Sequence, residues 1–193
     1  DLTLRVAAQA QQMQAAGIDV VDFGAGEPDF PTPQAVRDAG KHAIGAGRTR
    51  YTANAGIREL RAAVAERMER LHGVGCSPDR VLVSPGAKAS LYLAFQALVD
   101  PGDDVLLPVP YWVSYPEQIR LAGATPVLVP THEAAGFRVQ VADLDAARTP
   151  RTRGVVLNDP SNPTGASYGR ADLEAVAEFC LRHDLWIVAD EIY

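Results

Sequence analysis

Apolar residues recur at intervals of three and four in Ile57, Leu60, Val64, Met68 and Leu71, in Leu91, Ala94, Phe95 and Leu98, and in Leu173, Val176, Ala177, Cys180 and Leu181. That spacing lays a stripe along one face of a 3.6-residue turn and predicts three amphipathic helices. Residues 2–16 and 33–46 carry Ala- and Gln-rich helical segments, the first closed by Gly17 and the second entered at Pro33. Between them lie short runs that are apolar on both faces: Val81–Ser84, Val105–Leu107, Pro126–Val129, Gly154–Asn158 and Leu185–Ala189. Their starts are 24, 21, 28 and 31 residues apart, room for a helical crossover each time. The pattern predicts an α/β fold, a mainly parallel sheet with helices on both faces, preceded by an N-terminal helical segment.

Composition narrows the partners. The 193 residues are 47% hydrophobic and 22% charged, with a formal net charge of −6 and no block of like charge. This argues against a nucleic-acid or basic membrane-surface protein. No apolar run approaches the ~18–20 residues of a membrane span, and the cytoplasm is the expected compartment. Cys76 and Cys180 lie far apart, which excludes a disulfide framework or a thiolate metal site as the organising feature. His42, His72, His132 and His183 lack metal-ligand spacing and read as surface residues, so no metal is expected. The chain opens at Asp1 without a methionine and stops at Tyr193 directly after a strand-like run, which predicts a portion of a longer polypeptide.

In an open parallel sheet, ligands sit beyond the carboxyl ends of the strands. The segments predicted there are Ser84–Lys88, Pro108–Ser114, Asn158–Gly165 and Asp190–Tyr193. Each has two readings. Gly86-Ala87-Lys88 at a helix start is either a simple turn or an anion site made by amide groups and the helix dipole. Trp112 beside Tyr111 is core packing or a stacking platform, and Asp190 is a strand-end cap or a ligand to a positive ring atom. In Asn158-Asp-Pro-Ser-Asn-Pro-Thr-Gly165 two prolines constrain the backbone around Asn158 and Asn162, more than a simple turn requires. Together the clusters point to a flat, phosphorylated aromatic ligand with a ring atom that welcomes a negative charge. The acidic strand end at Asp190-Glu191 would suit an NTPase, but no G-x-x-x-x-G-K-[ST] occurs; Gly24-Ala-Gly26 lacks the third glycine of a dinucleotide fold, and no G-x-S-x-G supports a hydrolase.

Gly26-Glu-Pro-Asp-Phe30, Arg50-Tyr51-Thr-Ala-Asn-Ala-Gly56, Gly86-Ala-Lys88, Pro110-Tyr-Trp-Val-Ser-Tyr-Pro116, the Asn158–Gly165 run and Asp190-Glu-Ile-Tyr193 occur in that order. In this the chain resembles the class I/II aminotransferases of the fold-type I pyridoxal-phosphate enzymes, nearest to the prokaryotic aspartate aminotransferases. The resemblance implies an N-terminal segment, 1–45, belonging to a small domain and a substrate loop, and an incomplete cofactor-binding large domain over 46–193. It implies that Asp190 pairs with the pyridinium nitrogen of pyridoxal 5'-phosphate and that Asn162 and Tyr193 bond the ring's phenolic oxygen. Trp112 would stack on the ring, and Gly86, Ala87 and Lys88 would hold the phosphate. Tyr51 would reach the cofactor of a partner subunit in a homodimer. Gly26, Trp112 and Asn162 would touch the substrate, and Asp190 and Tyr193 stand as the catalytic pair. The implied reaction moves an amino group between an amino acid, aspartate or a similar one, and 2-oxoglutarate.

The chain departs from the pattern in what it lacks. Its two lysines, Lys41 and Lys88, do not stand in the context of the Schiff-base lysine, which the family places downstream of Asp-Glu-Ile-Tyr. The arginine that clamps the substrate carboxylate is also missing, and Asp159 stands where a small residue is common. The family's sheet further places two later strands beside Val81–Ser84, so that segment is expected to lack its neighbours here. The alternatives are a non-catalytic fragment of such an enzyme, or a lyase or decarboxylase on the same scaffold.

Overall fold

The computed structural model describes residues 2–21, 26 and 28–193. The chain divides into two compact units, Asp1–Thr52 and Ala53–Tyr193. In the first, α1 (Leu2–Ala15) and α2 (Gln34–Gly45) match the predicted helical segments. Residues 22–25 and Glu27, which carry part of Gly24-Ala-Gly26 and of Gly26-Glu-Pro-Asp-Phe30, lie outside the described residues.

The second unit carries α3 (Arg58–His72), α4 (Ala87–Leu98), α5 (Ser114–Leu121), α6 (Val141–Ala147) and α7 (Arg170–Arg182). Its strands β1 (Asp104–Val109), β2 (Thr125–Pro130), β3 (Thr152–Asn158) and β4 (Trp186–Asp190) form one sheet in the order β2-β1-β3-β4, every pair parallel. The chain steps from β1 to β2 in one direction and then back across to β3 and β4 in the other. Parallel crossovers are right-handed, so reversing the direction of travel must move the connecting helices to the opposite face.

The core follows that rule. On one face Val105, Leu107 and Val156 pack with Leu91 and Phe95 of α4 and with Tyr115 and Ile119 of α5. On the other, Leu106, Val129 and Val155 pack with Leu144 of α6 and Val176, Phe179 and Cys180 of α7. Alternation along β1 and β3 thus feeds two hydrophobic layers from strands buried on both sides. The indole of Trp186 lies over Gly154, its register partner, so closely that a Cβ there would meet the ring at 2.1 Å. Only glycine permits that approach.

Two expectations change. Val81–Ser84 forms no strand: Val81 is extended, but the segment's backbone donors go to Pro78 O, from Val81 at 3.2 Å, and to the loop carbonyl of Ala55, from Val83 at 3.0 Å, and Leu82 is exposed. A strand needs a ladder, and neither edge strand of the sheet, β2 or β4, pairs with it. The stripe of α3 likewise stays largely in solvent; Ile57, Leu60 and Leu71 are exposed, and Ala65 is the helix's buried residue. His183 also departs from a surface reading, since its ring packs on Phe179 at 4.9 Å between centroids.

Candidate active site

Side-chain parity places the polar groups. Trp186 and Val188 of β4 pack on the α4–α5 layer, so Asp190, two residues on, points to that same face at the strand's carboxyl end. Asn158 ends β3 directly opposite Asp190 in register. Its amide Nδ2 donates to the Asp190 carbonyl at 2.9 Å, and its Oδ1 accepts the Asn162 N–H at 2.7 Å. One asparagine side chain therefore ties the loop that follows β3 to the end of β4.

From α5, Tyr115 reaches the same point. Its ring is 1% exposed within the core, yet its Oη donates to Asp190 Oδ2 at 2.7 Å. Burial, and then that hydrogen bond, push the Tyr115 phenol far above its ordinary range, so it stays a donor throughout the physiological interval. Trp112, half-buried in the loop after β1, meets the Tyr115 ring edge-on at 5.4 Å, and the Lys88 ammonium lies 5.1 Å from the Trp112 ring centre. Gln118 Nε2 donates to the Lys88 carbonyl at 2.9 Å and so fastens the first turn of α4 to α5. Gly86, which precedes α4, has φ +90°, a backbone setting that favours glycine. The hydroxyls of Ser84 and Ser90 bond to each other beside this turn.

Thus Lys88, Trp112, Asn162 and Asp190 are joined by an unbroken series of contacts through Tyr115 and Asn158. The Tyr193 side chain, three residues past the end of β4, is exposed. Gly26 and Tyr51 belong to the first unit; both are exposed, and Tyr51 lines an open depression with Gly47, Thr49, Arg50 and Thr52. Tyr115 and Gln118 were not singled out from sequence, although Tyr115 follows Trp112 by three residues, one helical turn. Asp159, the unusual residue of its loop, accepts from Ser167 Oγ at 2.9 Å and the Tyr168 N–H at 3.1 Å, closing the loop on itself.

The geometry lies where the topology directs a ligand: β1 and β3 are neighbours whose connections leave in opposite directions, and a crevice opens between such carboxyl ends. The electrostatics say which ligand. Among the described residues, Asp190 forms no ion pair, and its carboxylate partner is a neutral phenol. A carboxylate without an internal cation can pair with a cationic ring N–H, while the amino end of a 12-residue helix favours an anion.

The family model for aminotransferase class I and II matches residues 18–193. The chain belongs to that family. It is 49% identical over 192 residues to the aspartate/prephenate aminotransferase of Cereibacter sphaeroides, covering 99% of its own length and 48% of the relative's. It is 46% identical over 191 residues to the aspartate aminotransferase of Bacillus subtilis, covering 99% and 49%. Its fold superposes on the aspartate aminotransferase of Thermus thermophilus with maleate at a TM-score of 0.97 and 44% identity, over all of this chain and 50% of that one. The chain thus spans about half the length of the relatives it matches. Enzymes of the family depend on pyridoxal phosphate, and the donor set here fits that cofactor: an anionic carboxylate for the ring nitrogen, an aromatic face at Trp112 and a helix amino end for the phosphate. No described helix is long and apolar enough to cross a membrane.

Proposed function

We propose that the protein is a pyridoxal-phosphate-dependent aminotransferase that exchanges an amino group between an acidic amino acid, aspartate or one like it, and 2-oxoglutarate. The single observation that carries this reading is the Asp190 carboxylate, held at the sheet's carboxyl end by a neutral hydrogen bond. Pyridoxal phosphate, when bound, supplies an electron sink that lets the substrate's Cα give up its proton. Asp190 keeps the ring nitrogen's proton in place. Asn162 and Tyr193 would donate to the ring's phenolic oxygen, Trp112 would cover one ring face, and the amides of Ala87 and Lys88 would take the phosphate at the turn set by Gly86, whose own N–H donates to the Ser84 carbonyl at 2.8 Å.

Gly26, Trp112 and Asn162 orient the substrate, and Tyr51 serves the cofactor of a second subunit, so the working form is a cytoplasmic homodimer. In this reading residues 1–45 contribute to a small domain and substrate loop, and 46–193 to the cofactor-binding domain. The acidic substrate is supported by the relatives' names and by maleate, a four-carbon dicarboxylate, in the Thermus structure.

The test is the full-length protein incubated with aspartate, 2-oxoglutarate and pyridoxal phosphate. Glutamate and oxaloacetate should form in equal amounts. Consumption of aspartate without glutamate would instead support a lyase or decarboxylase.

A further inference from the structure

Among the described residues, Tyr115 is a fully buried group whose hydroxyl touches the candidate site, and the roles proposed above leave it unused. Its ring packs among Phe95, Leu107 and Ile119, so its position is set by the core rather than by any ligand. Its hydroxyl ends 2.7 Å from Asp190 Oδ2, joining residues 75 apart in the chain. Trp112 braces the ring edge-on. Asn158 grips the backbone of Asp190 from the other side and leaves the carboxylate to Tyr115.

We propose that Tyr115 is a positioning residue which, through its hydrogen bond to Oδ2, keeps Asp190 in its anionic form, so that the proton between that carboxylate and the cofactor's ring nitrogen stays on nitrogen. This rests on the function proposed above. Two groups share one proton, and a hydrogen bond donated to the charged carboxylate favours the charged form. The donor must be one that does not itself ionise, and burial ensures this for Tyr115. Titratable groups near the pair include Asp159, whose backbone N–H donates to the Asp190 carbonyl at 3.1 Å, the exposed Tyr193, and Lys88, whose ammonium lies over Trp112. Removing the phenol O–H leaves Asp190 short of a donor, and the shared proton moves toward the carboxylate. The ring nitrogen then withdraws electrons less strongly.

The experiment uses the full-length protein loaded with pyridoxal phosphate labelled with ¹⁵N in the ring. In Tyr115→Phe the nitrogen resonance should move toward that of a neutral pyridine, with kcat down roughly tenfold or more, the loss expected for a hydrogen bond to a charged group, and KM little changed. Replacing Tyr115 by 3-fluorotyrosine, a more acidic phenol of nearly the same shape, should move the resonance the opposite way; this holds as a test even if the phenylalanine variant folds poorly. A resonance that is the same in wild type and both variants overturns the inference and leaves the proposed function standing. A wild-type protein that binds no pyridoxal phosphate overturns both.

Discussion

The sheet presents a carboxylate at each end, and the two are built differently. At the amino end, Asp104 opens β1, 1% exposed; it accepts from Thr149 Oγ1 at 2.6 Å and pairs with Arg151 at 3.3 Å. Next to it, Asp103 pairs with Arg153 at 3.0 Å. At the carboxyl end, Asp190 closes β4 against a neutral tyrosine, and no described cation meets it. A charge balanced within the protein secures the fold. A charge held in place but left unbalanced is available to a ligand.

The largest effect expected on both ends together comes from Gly154→Ala. The added methyl would meet the Trp186 indole and push β4, with Asp190, off β3. A loss of about 3 kcal/mol or more should appear in denaturant unfolding, accompanied by loss of cofactor binding. Next, Asp190→Asn in the full-length protein should cut kcat by about 100-fold or more while the melting temperature stays close to wild type, since the amide still accepts from Tyr115. The same exchange at the other end, Asp104→Asn, should do the reverse: about 1–2 kcal/mol of stability lost and turnover retained. If the two substitutions gave the same pattern, the distinction between the ends would fail.

A smaller effect should follow from alkali. Burial pushes the Cys180 thiol from 9.0 up to about 11, and it also raises the Tyr115 and Tyr168 phenols. Above the ordinary values the unfolded chain releases protons that the folded chain retains, so stability falls as pH rises, starting near 9.0 through Cys180. Cys180→Ala should remove this first step from a pH series of unfolding curves, whatever its effect at neutral pH. The smallest change is expected for Arg153→Gln, which breaks a pair whose arginine is 54% exposed; the cost should be under about 1 kcal/mol.

Much of this was legible in the chain. The runs at 105–107, 126–129 and 154–158 each lie in a strand, the run at 185–189 does so from Trp186 on, and the five helical segments each correspond to a helix. Apolar runs of strand length and a period of about 3.6 are local signals. The apolar run at Val81–Ser84 carried the same signal, but, in keeping with the neighbours it was expected to lack, it joins no ladder, because pairing is not local. The short helices Ser114–Leu121 and Val141–Ala147 were expected only as unplaced crossovers; the first holds Pro116 in its opening turn and has too few turns to display a long stripe. Of the site, Asp190, Trp112, Asn162 and the Gly86–Lys88 turn were named from their places at strand ends. Asn158 was read as a rigid loop residue, and its two hydrogen bonds emerge only from the register that sets it opposite Asp190.

By itself, then, the sequence determined the alternation of strands and helices, the parallel sense of the sheet and the polar residues that end the strands. Those features depend on contacts between near neighbours and on connection lengths. The strand order, the faces taken by α5, α6 and α7, and the bond from Tyr115 to Asp190 were decided only by the tertiary structure. Their reason is geometric: a right-handed crossover that reverses direction must change faces, and only the resulting register brings a buried phenol to a carboxylate 75 residues away.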